Sequence, residues 1–339
     1  MYQSPNTKKV VVTGAAGYIG GITCIELKKQ GYYVIGIDRR YREHLVEYYD
    51  DFYHGDFTDF ESFKKLKQHN PCAIIHCAGT SLVGPSLTNP AEYFTNNVSK
   101  TNTLLSFLTA ELPDIKFIFS SSAAVYGERA GIDFFKETFD TKPLSPYGES
   151  KLMIEKMLGW YKQAYGLRYV AFRYFNAAGA DASGAHGQEP GDTHIISKIF
   201  DSALNDKEFT LYGSQYPTKD GTCIRDYVHV TDIALAHILA IDNRIDGIYN
   251  LGSSTGYSNL EILQAVTNAL SKPIVTMVEL NRQGDPARLI ANSSNFTSSA
   301  EWIPQYDLNH IITDCITWYN SDIYNKLETK QRTHTFNPL

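Results

Sequence analysis

The chain has 339 residues, of which 43% are hydrophobic and 20% charged, with a formal net charge of −6. Its length suits two domains or one large one with additions, and a core of that size forms without disulfides or metal. The acidic balance lacks the basic footprint of nucleic-acid or anionic-membrane binding, no apolar run approaches a membrane span, and MYQSPNTKKV has no signal-peptide core, so a cytoplasmic protein is expected. The five cysteines include no C-x-x-C and read as reduced thiols. The histidines offer no H-x-x-x-H pair, so no metal site is expected.

In chain order, KKVVVTG from Lys8 predicts a buried strand, and residues 18–30 a helix stopped by Gly31. YYVIGID ends a second strand at Asp38; residues 58–69 form a helix, and PCAIIHCAG another strand. A long helix is predicted over 89–111, a strand at IKFIFSSS, a helix over 145–165 and a strand at RYVAFRYFN. Continuous apolar runs mean strands buried on both faces, hence a parallel sheet between helices. The fold class is α/β: a doubly wound Rossmann-type sheet with a smaller mixed α/β C-terminal substrate-binding domain. After Asn176 the Gly- and Ala-rich AAGADASGAHGQEPGD predicts a long loop. Beyond it come helices from Thr193, Thr231 and Ser258, short strands near FTLYG and at GIYNLGS, and a closing helix at 311–319. The expected division is 1–178 for the NAD-binding domain and 179–339 mainly for a substrate cap, with segments near 225–252 packing back on the first domain.

VVVTGAAGYIGG spaces Gly14, Gly17 and Gly20 between a strand and a helix, where backbone N–H groups reach a pyrophosphate. Asp38, ending the second strand, accepts from ribose hydroxyls and disfavours a 2′-phosphate, so NAD is preferred over NADP. Arg39 and Arg40 follow at once; they read either as partners of a 2′-phosphate or as solvated loop charges. Asp56 in HGDFTD can take the adenine amino group or serve as a helix N-terminal carboxylate.

In SPYGESK, Ser145 caps a helix, Pro146 suits its first turn, and Tyr147 and Lys151 share one face at i and i+4. A free tyrosine, with a pKa near ~10, is a poor base at neutral pH. A neighbouring cation together with the positive nicotinamide ring of NAD lowers it. SSSAAVYG places Ser120, Ser121 and Ser122 at a strand's carboxyl end, where open α/β sheets bind ligands.

The glycine array, the strand-end serine and Y-x-x-x-K, in that order, resemble the extended short-chain dehydrogenase/reductase superfamily. TGAAGYIG, SSSAAVYG, SPYGESK, RYFNAAGA, GSQYPTKDGTCIRDYVHVTDIA, IYNLG and NRQGDP narrow the resemblance to the UDP-glucose 4-epimerase family, over about residues 8–302. The resemblance implies NAD as a bound prosthetic group, a UDP-sugar substrate and a homodimer built on two long helices, with no nucleic-acid or membrane partner. It implies Ser122 and Tyr147 as the acid–base pair and Lys151 as the phenolate's partner. Around the cofactor it implies Gly14, Gly17, Tyr18, Ile19, Gly20, Asp38, Asp56, Phe57, Asn97, Tyr147, Lys151 and Tyr174. Around the substrate it implies Ser122, Tyr147, Asn176, His194, Arg225, Arg282, Asp285 and Leu289. Arg225 also reads as an ion pair with its neighbour Asp226, and Arg282 as a solvated loop charge.

The chain departs from the family pattern at Ser81, where a lysine is usual, at Arg39-Arg40 in place of Asn-Leu, and in THIIS, which lacks the usual proline. Leu289 falls where a large tyrosine excludes an N-acetyl group and a small residue admits it. UDP-glucose and UDP-galactose are therefore the expected pair, and UDP-N-acetylglucosamine and UDP-N-acetylgalactosamine the alternative. A related dehydratase carries an acid after the strand-end serine, and here Ala123 and Ala124 stand there. An inert NAD-binding sensor has no use for an activated phenol.

Overall fold

Val10, Val11 and Val12 are wholly buried, yet Val10 and Val12 pack into one hydrophobic layer and Val11 into another. Alternate side chains of a strand leave on opposite faces, so an unbroken apolar run requires cover on both. Ala73, Ile74 and Ile75 divide the same way. A computed structural model describes residues 7–129, 131–242, 244–281 and 286–335.

The chain runs β1 (Lys9–Thr13), α1 (Tyr18–Lys29), β2 (Tyr33–Asp38), β3 (Asp51–His54), α2 (Phe60–His69), β4 (Ala73–His76), α3 (Val83–Thr88), α4 (Pro90–Tyr93) and α5 (Lys100–Glu111). It continues through β5 (Lys116–Ser122), α6 (Pro146–Tyr165), β6 (Arg168–Tyr174), β7 (Asn176–Ala178), α7 (Ile195–Leu204), β8 (Phe209–Tyr212), β9 (Ile224–His229), α8 (Val230–Asp242) and β10 (Gly247–Leu251). β11 (Gly256–Ser258), α9 (Asn259–Leu270), β12 (Thr276–Glu279), β13 (Arg288–Leu289), α10 (Ser294–Ala300), α11 (Leu308–Tyr319) and α12 (Asp322–Thr335) follow. The central seven-stranded sheet has the order β3-β2-β1-β4-β5-β6-β10, parallel throughout. It is a doubly wound Rossmann-type sheet whose order reverses between β1 and β4, the position at which such sheets form a ligand crevice. β10 belongs to the later half of the chain and closes the sheet beside β6.

A second sheet is centred on β9, which pairs parallel with β7 and β13 and antiparallel with β11. β8 and β12 form a separate parallel pair. β3 and α12 lie where the sequence predicted no element. β9, IRDYVH, keeps its charged residues inside, since every one of its residues is buried.

The helix predicted over 89–111 is interrupted. After α4 the backbone widens into a π segment, Phe94–Ser99, before α5 resumes. Such widened turns recur at functional sites, and this one carries Asn97. The Asn97 amide accepts from Thr80 N (2.8 Å) and donates to Thr80 O (3.0 Å) and Ser150 Oγ (2.9 Å). Its local gain is a clamp on the loop that follows β4.

Candidate active site

A cleft of about 1030 Å³ opens at the carboxyl ends of the central strands, between them and the β7–β9–β13 sheet. Its first wall is the turn between β1 and α1. Gly14 has φ +71°, and a Cβ there would stand 2.7 Å from Ala78 N. A Cβ on Gly20 would stand 2.1 Å from Gly14 O, so these positions admit glycine alone. Gly17 starts α1 without a side-chain cap or an acid in the first turn. The helix's N–H groups therefore face the cleft uncompensated, as an anionic diphosphate requires. These glycines and the bare helix end fit a dinucleotide.

At the end of β2, Asp38 accepts from Ala16 N (3.0 Å) and Arg40 N (2.8 Å) and lines the cleft. Gly14, Gly17, Tyr18, Ile19, Gly20, Asp56, Phe57, Lys151 and Tyr174 also line it. Tyr18 donates through Oη to Gly179 O (2.7 Å), tying α1 to the loop after β7. Asp56 lines the cleft, and of its two expected roles the helix N-terminal one falls to another residue. Its carboxylate takes Lys100 Nζ at 2.5 Å and the backbone N and hydroxyl of Thr58 (3.1 and 2.7 Å), while Asp59 is the residue that precedes α2. Asn97 stands behind the cleft wall, with its amide engaged by Thr80 and Ser150.

Tertiary contacts separate the serines at the end of β5. Ser120 Oγ pairs with Tyr174 Oη (3.0 Å) and donates to Cys77 Sγ (3.2 Å), while Ser121 Oγ donates to the buried Glu155 carboxylate (2.5 Å). Ser122 faces the cleft, accepts from Ala124 N (3.2 Å) and hydrogen-bonds Tyr147. Ser145 Oγ accepts from Gly148 N (3.2 Å) and Pro146 begins α6, so the helix starts one residue before Tyr147. Lys151 is buried; its ammonium donates to Ser120 O (2.8 Å) and lies 5.9 Å from the Tyr147 ring centroid.

Burial pushes the Tyr147 phenol up, the Ser122 hydrogen bond pulls it down, and Tyr93 adds to the rise. Among the protein's own groups, burial therefore dominates at the Tyr147 phenol. Burial also lowers Lys151 from 10.5 to about 8, against the opposing charges of Cys77 and Glu155. A lysine whose folded pKa lies below its unfolded one weakens the fold while both states are protonated, and that cost disappears as pH rises through the window from 8 to 10.5. Urea denaturation across that window should show wild type gaining stability relative to Lys151→Met. A constant difference would mean that Lys151 is not depressed.

The opposite wall holds Asn176 on β7, Arg225 on β9 and Leu289 on β13, with His194 at the start of α7. Leu289 pairs with Arg225 across the two strands. The Arg225 guanidinium donates to Pro286 O (2.7 Å) and Ile224 O (2.9 Å). The alternative pairing of Arg225 with Asp226 is replaced: adjacent strand residues face opposite ways, and Asp226 accepts from Ser253 N, Ser254 N and Ala291 N. His194 pairs with Asp192; burial opposes the charge on the imidazole, but the hydrogen bond from Asp192 prevails and the pKa rises. Arg282 and Asp285 lie outside the described residues.

Several cleft residues carried no signal in the sequence pattern. Gly79 and Thr80, positioned by Asn97, Lys100 with Asp56, and Phe175 beyond β6 all line it or brace it. A buried pair, Glu155 with Arg173, lies behind Ser121 (2.7 and 2.9 Å). Its signal was the i, i+4 spacing of Lys151 and Glu155, but its partner is on another strand.

A glycine-cradled dinucleotide crevice facing a Ser–Tyr–Lys group defines an NAD-dependent enzyme of the short-chain dehydrogenase/reductase class. The chain belongs to the NAD dependent epimerase/dehydratase family, whose model matches residues 10–252. It is 41% identical over 320 residues to the UDP-glucose 4-epimerase of Halalkalibacterium halodurans, covering 91% of this chain and 95% of that one. Among solved structures, the UDP-glucose 4-epimerase from Brucella ovis in complex with NAD superposes with a TM-score of 0.86 at 36% identity, covering 92% of this chain and 98% of that one. The Bifidobacterium longum enzyme in complex with NAD+ and UDP has a TM-score of 0.86 at 32% identity, with 94% and 99% coverage. NAD is the cofactor that this family and its solved members use.

Proposed function

We propose that the chain is a UDP-glucose 4-epimerase, interconverting UDP-glucose and UDP-galactose. The observation that carries the reading is the convergence of Ser122, Tyr147 and Lys151 on one cleft with a glycine turn at one end and Arg225 and Asn176 at the other. The chemistry supplied by bound NAD is a hydride acceptor and donor beside the sugar's C4. Gly14, Gly17, Gly20 and the start of α1 would hold its pyrophosphate, Asp38 its ribose, and Lys151 the nicotinamide half. Tyr147 takes the 4-hydroxyl proton at Oη, and Ser122 shares it through their hydrogen bond. Lys151 and the positive ring together offset the burial that otherwise keeps Tyr147 protonated. Return of hydride to the opposite face of C4, with the proton returned to the 4-oxygen, would complete a redox-neutral cycle.

Asn176, Arg225 and Arg282 hold the nucleotide diphosphate and Asp285 the uridine ribose, and charge-assisted hydrogen bonds from the arginines fix the diphosphate while the sugar turns. Ala123 and Ala124 line the cleft where dehydration requires an acid. Residues 1–178 form the cofactor domain and 179–339 mainly the cap. The enzyme is cytoplasmic and acts as a homodimer; Met153 and Trp160, 39% and 68% exposed on one face of α6, supply apolar surface for the partner.

Leu289 lies beside Arg225 on the substrate wall, half-buried, and sets the room for the 2-substituent. Purified protein should turn over UDP-galactose faster than UDP-N-acetylgalactosamine, and Leu289→Ala should narrow the gap. Equal turnover of both sugars by the wild type would sink the restricted pocket.

A further inference from the structure

Arg40 lines the corner of the cleft where Asp38 ends β2, and Arg42 follows two residues later on the same segment. Cations there would ordinarily attract the 2′-phosphate of NADP, a dianion that arginine binds through paired charge-assisted hydrogen bonds. In this structure another carboxylate occupies them. Glu189, from the loop between β7 and α7, takes Arg42 Nε at 2.6 Å and Arg42 Nη2 at 2.7 Å, and its Oε2 lies 3.6 Å from Arg40 Nη1. Arg40 is further held by Ala16 O (3.3 Å) and faces Asp38 (3.9 Å). Burial raises the Glu189 carboxyl, but Arg42 and Arg40 outweigh it and hold the pKa below its usual range, so Glu189 remains an anion at neutral pH.

We propose that Glu189 determines cofactor specificity: by engaging Arg40 and Arg42 it withholds them from a 2′-phosphate and keeps the cleft selective for NAD over NADP. The proposal rests on the cofactor reading above and extends it. Two carboxylates, Asp38 and Glu189, set the charge of this corner, and one of them arrives from a residue 147 positions away in sequence from Arg42. Glu189→Gln removes one negative charge, leaving Arg42 without its carboxylate partner and Arg40 with Asp38 alone.

The test is calorimetric titration of nucleotide-depleted full chain with NAD+ and with NADP+, together with identification of the dinucleotide that copurifies. Wild type should bind NAD the more tightly. In Glu189→Gln the ratio of the NADP to the NAD dissociation constant should fall by about tenfold, the effect of one charged hydrogen bond. Adding Arg40→Ala to Glu189→Gln should restore the ratio. Glu189→Asp, which keeps the charge but shortens the reach, should lower the ratio less, and it provides the reading should Glu189→Gln fail to fold. An unchanged ratio in both variants overturns the proposal, as does a fall that survives Arg40→Ala or a wild type that binds both nucleotides alike. A wild type that binds neither nucleotide overturns the cofactor reading itself, a result distinct from loss of selectivity.

Discussion

Tyr147→Phe is expected to keep NAD bound and to lose epimerisation by about 10²–10⁴-fold, the range for removal of a positioned general base. The ring stays, with its edge contact to Tyr93 at 6.4 Å and Lys151 at 5.9 Å, so packing and the cofactor wall are preserved. Only the hydroxyl that bonds Ser122 is removed. Acid release of nucleotide from the purified variant measures the first part, and product formation from UDP-galactose the second. Ser122→Ala should fall less, because Tyr147 still accepts the proton and loses only the bond that eases its ionisation. Activity retained by Tyr147→Phe would place the base elsewhere.

Glu155→Ala is expected to cost about 3–5 kcal/mol of folding stability, the range for leaving one partner of a buried ion pair uncompensated. Arg173 is 4% exposed and Glu155 3%, and their bidentate contact joins α6 to β6 while Ser121 on β5 uses the same carboxylate. The guanidinium also lies 4.8 Å over the Tyr126 ring. Set against a typical total of about 5–15 kcal/mol, such a loss is large. Urea denaturation reads it directly. Replacing both partners, Glu155→Leu with Arg173→Met, should recover most of the loss, because no buried charge is then left alone. A small loss in Glu155→Ala alone would show that water reaches Arg173. Because Ser121 adjoins Ser122 and Glu155 lies one turn from Lys151, the same variant should also lower activity in the protein that remains folded.

The parallel sheet was legible because hydrophobic burial on two faces writes itself as runs such as VVV and AII, and the glycine turn because close backbone approach excludes a Cβ. The Tyr147–Lys151 face and the Ser145 cap were legible for the same reason: each depends on residues within a turn or two of one another. The prediction failed where a local pattern carried tertiary information. The charged residues of β9 owe their burial to its neighbours β7, β11 and β13. The π segment within the helix predicted over 89–111 carries Asn97, which bonds Thr80, a partner 17 residues away. The rise that burial imposes on the Tyr147 phenol is likewise a property of the folded cleft.

By itself, the sequence determined the class of fold, the glycine turn and the shared helix face of Tyr147 and Lys151, since short-range stereochemistry and hydrophobic periodicity act between neighbours along the chain. Only the tertiary structure decided which strand-end serine faces the cleft, that Lys100 takes the carboxylate of Asp56, and that Arg40 and Arg42 answer to Glu189. Those outcomes depend on electrostatic and hydrogen-bond partners supplied by distant segments, whose strength is set by burial and by distances that no spacing in the chain encodes.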